Sequence, residues 1–261
     1  MSTRRVTSFG MALGTAVLVG CASAPPRPPA PLSPAAAAIT IKVELRLPVH
    51  DWRNSGNAVA TTVYFVKACP EAPTSCTETL IPSNYAIQGR VYLLNAEPGE
   101  YRPVAADYTT AVYYGIGTSH GVNVTYLPDA LARTATVQVQ PGRLADAGHH
   151  LVHATHGVCP DTADPGQLRY AEMMEPGTKK CGLLAIVADE MLHLYRALRR
   201  QVVIGNKAYP MGTIPNHFRG VSHTTFAGAS NRQTLEDARE DLAPSGWWID
   251  GQPPVQPSQG R

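Results

Sequence analysis

The sequence predicts a mainly β protein, an antiparallel two-sheet sandwich with a helical C-terminal extension, from three observations. Ile39, Ile41, Val43, Leu45 and Leu47 alternate with Thr40, Lys42, Glu44 and Arg46, the period of a strand with one buried and one wet face. Short runs separated by turn residues then follow one another to about Thr155, with no helical pattern between them. Beyond Cys181 the texture changes, and Leu184, Val187, Met191, Leu194, Tyr195 and Leu198 recur at helical spacing.

After the first strand, further strands are expected at Thr61 to Ala68, Thr77 to Ile81, Arg90 to Leu94, Tyr101 to Ala106, Thr110 to Ile116, Val122 to Leu127, Thr134 to Gln140 and about His149 to Thr155. Ser55-Gly56-Asn57, Pro98-Gly99, His120-Gly121 and Pro141-Gly142 mark the turns. Short links without intervening helices argue for antiparallel pairing in two packed sheets. A helix is expected from about Leu183 to Val202, with Asp189 and Glu190 early and Arg196, Arg199 and Arg200 late, as the helix dipole prefers. Ser230-Asn231-Arg232-Gln233 has the form of a capping box and opens a second helix that Pro244 ends. Between the helices, Gly205, Pro210, Gly212 and Pro215 suggest loop or short strand.

The run from Leu93 through Ala106 contains Leu93, then Pro98-Gly99, Tyr101 and Ala105. It resembles the turn-and-strand phrase of prealbumin-like and carboxypeptidase-regulatory-like sandwiches. The resemblance implies a prealbumin-like or Ig-like sandwich and carries no catalytic residue with it. Physically, Pro-Gly makes the turn and Tyr101 begins the returning strand facing inward.

The N-terminus reads as an address. Arg4 and Arg5 precede an apolar run from Phe9 through Val19, and no acid occurs before Cys21. This is the order of an export signal, too short for the roughly 20 apolar residues that span a bilayer. Leu18-Val19-Gly20-Cys21 resembles the lipobox of bacterial lipoproteins. That resemblance implies cleavage before Cys21, a diacylglycerol on its sulfur and acylation of the new amine. Each buried methylene contributes about 0.8 kcal/mol, so several acyl chains make a durable anchor. Ala22, rather than aspartate, follows the cysteine, which favours an outer membrane over an inner one among lipoproteins of this kind.

The chain therefore divides into a signal peptide (1–20), a lipidated cysteine with a Pro/Ala-rich tether (21–38), a β-sandwich domain (39–158), a disulfide loop with the helical extension (159–250) and a disordered tail (251–261). Six prolines between Ala22 and Ala38 favour extended polyproline geometry at about 3.1 Å per residue, a tether of roughly 50 Å.

The chain has 22 Lys+Arg and 20 Asp+Glu. Arg4 and Arg5 leave with the signal, so the remainder is balanced and lacks the basic footprint of a nucleic-acid binder. With Cys21 committed to lipid, four cysteines remain, an even number suited to an oxidising envelope. Neighbour pairing, Cys69 with Cys76 and Cys159 with Cys181, closes two loops already rich in turn residues.

Three groups could carry chemistry. Gly117-Thr118-Ser119-His120-Gly121 has the spacing of a nucleophile elbow, with His193, His217 or His223 as distant partners. Val122 to Tyr126 reads as a strand where that elbow needs a helix. His149, His150, His153 and His156 form a cluster, supplemented by Asp161 and Asp164; His149 and His153 would share one face of a strand and could supply two metal ligands. Glu190 and His193 have a di-iron spacing on one helix only, and Trp247-Trp248 suits packing or a partner surface. No residue is assigned a catalytic, cofactor or metal role. The expected function is a non-enzymatic binding, assembly or structural module, held to a membrane by lipid and facing an envelope protein partner. An envelope serine hydrolase using Ser119 and a metal-binding lipoprotein using the histidines are the alternatives.

Overall fold

A computed structural model describes residues 26–48, 57–68, 79–113, 118–156, 165–174, 202–204, 207–209, 213–226 and 231–247. Its strands are β1 (Ala37–Arg46), β2 (Asn57–Val59), β3 (Thr62–Lys67), β4 (Leu80–Pro82), β5 (Tyr85–Ile87), β6 (Arg90–Ala96), β7 (Gly99–Tyr113), β8 (Thr118–Tyr126), β9 (Val137–Val139), β10 (Leu144–His156), β11 (Val202–Ile204), β12 (Lys207–Tyr209) and β13 (Thr213–Thr225). The helices are α1 (Asp129–Thr134), α2 (Pro165–Met174) and α3 (Asn231–Leu242), the last followed by a 3-10 turn at Ala243–Ser245.

The protein is mainly β, as the patterning predicts. In place of two antiparallel sheets, eleven strands join one mixed sheet in the order β4-β3-β7-β8-β13-β10-β1-β6-β5, with β2 beside β1 and β9 beside β7. β11 and β12 pair with each other. Among the described residues two pairs are parallel, β1 with β10 and β8 with β13. Parallel neighbours need long crossover connections, and such non-local pairs leave no trace in local periodicity.

β13 is the largest departure. It arises where loop or short strand is expected, yet it runs for 13 residues and lies between β8 and β10. The 159–250 region thus supplies a central strand as well as the expected second helix. At Gly220 in β13 an added Cβ would stand 2.8 Å from the Tyr126 carbonyl oxygen, 2.8 Å from Pro128 Cδ and 3.0 Å from Val152 Cγ1. Only glycine fits that close approach.

The end strands of the sheet, β4 and β5, are separated in sequence by Ser83 and Asn84 alone. The Ser83 amide donates to the Val63 carbonyl (2.8 Å), and the Asn84 amide to that of Tyr92 (3.0 Å). The sheet therefore curls until its flanks face each other. Val63 and Phe65 from β3 share one core with Val91 and Leu93 from β6, and with Ile39, Ile41, Val43, Leu45 and Leu47, all buried as the alternation predicts. Tyr101 is buried there too, its hydroxyl donating to the Glu97 carbonyl at 3.0 Å. Gly99, with φ +147°, starts that strand as the Pro-Gly signal predicts.

Several boundaries shift. The strands expected at Tyr101 to Ala106 and from Thr110 are joined in β7, residues 114–116 of the second lying outside the described residues. His120-Gly121 is not a turn: both residues lie within β8, opposite Ala111 and Thr110. Thr134 ends α1 instead of starting a strand. α1 follows Pro128 and carries Asp129 at its start and Arg133 at its end, signals that suit a helix. α2 begins at Pro165, inside the expected disulfide loop. α3 stops at Leu242, with Pro244 in the 3-10 turn behind it.

The outer side of the curl is covered at both ends. Tyr170, Ala171 and Met174 of α2, with Tyr209 of β12, cover Tyr64, Val122, Val124 and Tyr126. Ala238 and Leu242 of α3, with Trp247, cover Ala38, Tyr85, Tyr92 and Leu94. Among the described residues no helix is long and apolar enough to cross a membrane.

The described part of the expected tether is docked on the body. Pro28 is buried, the Trp247 indole donates to the Pro29 carbonyl (2.7 Å) and Asn95 Nδ2 to that of Ala30 (3.0 Å). The Leu32 amide donates back to Asn95 Oδ1 at 2.9 Å. Proline lacks a donor but keeps its carbonyl, and here side-chain donors reach those carbonyls. Cys21, Cys69, Cys76, Cys159, Cys181, Asp161, Asp164, Trp248, the 251–261 tail and the expected helix up to residue 201, including Glu190 and His193, lie outside the described residues.

Candidate binding face

Between the two covers, among the described residues, part of the outer sheet surface is accessible to solvent. Register defines it, since paired residues point to the same side. Val59 of β2, Glu44 of β1, Leu151 of β10 and Thr224 of β13 form one row. Asn57, Arg46, His153 and Ser222 form the next. Lys42 pairs with His149 on the third, and the Phe226 amide donates to the His149 carbonyl at 2.9 Å. Val59 and Phe226 are 41% and 43% exposed, which makes the patch apolar as well as charged.

The polar groups hold one another in place. Lys42 Nζ lies 3.2 Å and His149 Nε2 2.9 Å from Glu44 Oε1. Burial pulls the Glu44 carboxyl upward, but the hydrogen bonds from His149 and Lys42 outweigh it and hold the group below its ordinary value. The His149 ring lies against Phe226 with centroids 4.4 Å apart. Arg46 Nε donates to Asn57 Oδ1 at 3.3 Å. The patch thus sets an aromatic and an aliphatic side chain beside an arginine and small polar neighbours.

The histidines separate by strand geometry. His149 and His153 share the outer face, but four residues of strand span about 13 Å, too far for one ion. His150 points into the core side, 1% exposed. Its Nε2 donates to the Ala147 carbonyl at 2.7 Å, which leaves Nδ1 to accept from the Thr225 hydroxyl at 3.2 Å. Among the described residues no group of three or more His, Cys, Asp or Glu could hold a metal ion.

Ser119 lies within β8, paired with Val112, so the strand-to-helix turn of a nucleophile elbow is absent at this position. His217 is opposite Val124, about 16 Å along the sheet from Ser119. It is buried, with Nδ1 2.6 Å from the Tyr126 hydroxyl. His223 pairs with Val152 at the other end of β13. The structure does not bring Ser119 together with either described histidine.

A second polar cluster is buried beneath β12. Asp107, 0% exposed, accepts hydrogen bonds from the hydroxyls of Tyr64 (2.8 Å), Tyr209 and Thr61 (3.3 Å). Burial, and then the Asp107 charge, push both phenols above their ordinary range. Lys207 Nζ donates to the Thr62 hydroxyl. This cluster fastens the β11–β12 pair to the sheet.

His150 carries a pH prediction. Burial lowers its pKa, outweighing the opposing effect of the Ala147 hydrogen bond, with His223 and His149 adding to the lowering and Asp146 opposing it. The unfolded imidazole titrates at about 6.5, so on acidification the unfolded chain takes up this proton first. The stability contribution is full above that value and is lost as pH falls through the folded-state pKa. Urea midpoints of wild type should fall between pH 7 and 5, and His150→Gln should flatten part of that fall. Equal slopes would count against a buried neutral His150.

The register that builds the open face depends on β2 and β13, which local patterning did not reveal in full. Lys42, Glu44 and Arg46 were legible as the wet side of the first strand; Val59 and Phe226 carry no sequence signal that separates them from core residues. No protein family, curated protein or solved structure matches the chain. What fold and site define is a mainly β protein with a curled mixed sheet and an open mixed-polarity face.

Proposed function

We propose that this chain is a lipid-anchored lipoprotein of the bacterial cell envelope, attached through Cys21 and serving as a non-enzymatic module that presents the Val59–Glu44–Phe226 face to an envelope protein. The observation that carries the partner reading is the open face itself, an aromatic and aliphatic surface with self-held charges between two covered ones. The leader and Leu18-Val19-Gly20-Cys21 support the anchor, and an outer membrane is the expected site. The disulfides Cys69–Cys76 and Cys159–Cys181 belong to the same reading. Kinship with prealbumin-like or Ig-like sandwiches is part of it too, supported by the inward Tyr101 after its Pro-Gly turn.

The test is made on protein extracted from envelopes. The mature N-terminal peptide should begin at Cys21 and carry a diacylglyceryl group, and Cys21→Ser should abolish the modification. A photoreactive amino acid at position 226 should give one discrete protein adduct, and the same probe at exposed Arg133 should not. An unmodified N-terminus would sink the anchor; identical adducts from both positions would sink the face.

A further inference from the structure

We infer that the proline-rich segment after Cys21 is a docked strap and not a long tether, so that the end of the sheet carrying the strap lies against the lipid surface. The inference rests on the lipid anchor proposed above. Three consecutive carbonyls, of Pro28, Pro29 and Ala30, accept from Ser245 Oγ, Trp247 Nε1 and Asn95 Nδ2. The Leu32 amide returns to Asn95 Oδ1. The Gly142 amide donates to the Ala35 carbonyl (2.9 Å) and the Ala38 amide to that of Arg143 (3.1 Å). From Pro28 onward the chain is held at successive points and cannot extend from the body.

The reach of the anchor follows from chain geometry. Between Cys21 and Pro28 the backbone spans at most about 25 Å even if fully extended, half of the roughly 50 Å of a free tether. The strap also identifies which end of the molecule is near. It touches Asn95, the turn at Gly142 and Trp247, all beside the start of β1. Arg46, at the other end of β1, is about 30 Å away. The near end carries Leu32, 86% exposed, with exposed Arg27, Pro34 and Arg143. Exposed Glu97 at that end is paired with Lys67 at 2.8 Å, and Glu100 nearby is an exposed acid as well. An isolated leucine with arginines suits an anionic lipid interface, where apolar and cationic groups both gain. The Arg46 end of the binding face then points away from the bilayer.

Lipidated full-length protein is reconstituted in phosphatidylcholine vesicles containing phosphatidylglycerol and headgroup-quencher lipids. A fluorescent amino acid is placed at Leu32 or at Asn57, which pairs with Arg46 at the far end. The position 32 probe should be quenched several-fold more than the position 57 probe. Trp247→Phe combined with Asn95→Gly keeps an aromatic ring and permits the left-handed backbone at Asn95 (φ +60°) while removing three strap bonds. It should reduce quenching at position 32 without releasing protein from vesicles. Equal quenching at the two positions, or no response to the strap variant in protein whose N-terminal peptide carries lipid, would overturn the strap. Absence of lipid on that peptide would overturn the anchor instead.

Discussion

Arg90→Ala is expected to destabilise the protein by about 3–5 kcal/mol, the cost of breaking a buried ion pair from one side. Arg90 Nε and Nη2 bind the two oxygens of Asp241 at 2.7 and 3.0 Å, and Nη1 reaches Asp237 at 2.8 Å. The Asp241 side chain is 2% exposed, and without Arg90 it keeps only the Tyr92 hydroxyl, at 2.6 Å, of its described partners. The guanidinium is held charged above its already high ordinary range by the hydrogen bond to Asp241, against the opposing effect of burial. The loss should concentrate on α3. Ala238, Leu242 and Trp247 cover the sheet from that element, and Trp247 in turn holds the strap. Hydrogen exchange over residues 231–247 should therefore accelerate more than exchange in β8, and the urea midpoint should fall. Arg133→Ala, which removes an exposed pair 3.9 Å long, is the control and should change little. Comparable losses in both variants would mean that the Arg90 network does not clamp α3.

What the sequence made legible follows the range of the interactions involved. β1 is the clearest case: alternation alone identifies its core residues and the wet side at Lys42, Glu44 and Arg46, because both follow from a period of two within one strand, whereas Thr40, expected wet, is buried. Tyr101 after Pro98-Gly99, and α3 ending before Pro244, are also local and are found where expected. β13 was not legible. Pro215, Gly220 and three charged or imidazole side chains, His217, Arg219 and His223, interrupt its pattern, and its identity as a strand depends on β8 and β10 lying on either side. His149 and His153 show the same limit at the site. Their spacing puts them on one face, but the rise of a strand sets them too far apart to act together. Glu44, Lys42 and His149 meet only because β1 and β10 pair in parallel, across more than a hundred residues of sequence. The docking of residues 28–35 was not legible for a different reason. Composition indicates what a proline-rich segment cannot build by itself, whereas docking depends on donors supplied by Asn95, Ser245 and Trp247.

Asp107→Asn should cost about 3 kcal/mol, the scale of one or two hydrogen bonds to a buried charge. The carboxylate is acceptor-only and is surrounded by hydroxyls that donate to it, from Tyr64, Tyr209 and Thr61. Both tyrosine hydroxyls donate to one oxygen, Oδ2, and Thr61 to the other. An asparagine that turns its carbonyl to the tyrosines sets its NH2 against the Thr61 hydroxyl, which must reverse from donor to acceptor, and the charge that strengthens both tyrosine bonds is lost. Tyr209→Phe removes a single donor and leaves Tyr64 in place, so its loss should be smaller. The double variant should lose less than the sum of the singles, because both act on one shared network. Urea unfolding of the four proteins measures that coupling, and exchange at Lys207–Tyr209 reports whether the hairpin is released locally or the sheet fails with it. The arrangement favours local release: Asp107 is also tied to β3 through Tyr64, while its described bond to β12 is through Tyr209. A fully additive cycle would mean that Tyr209 is held by packing against Tyr64 and Tyr126 rather than by the carboxylate.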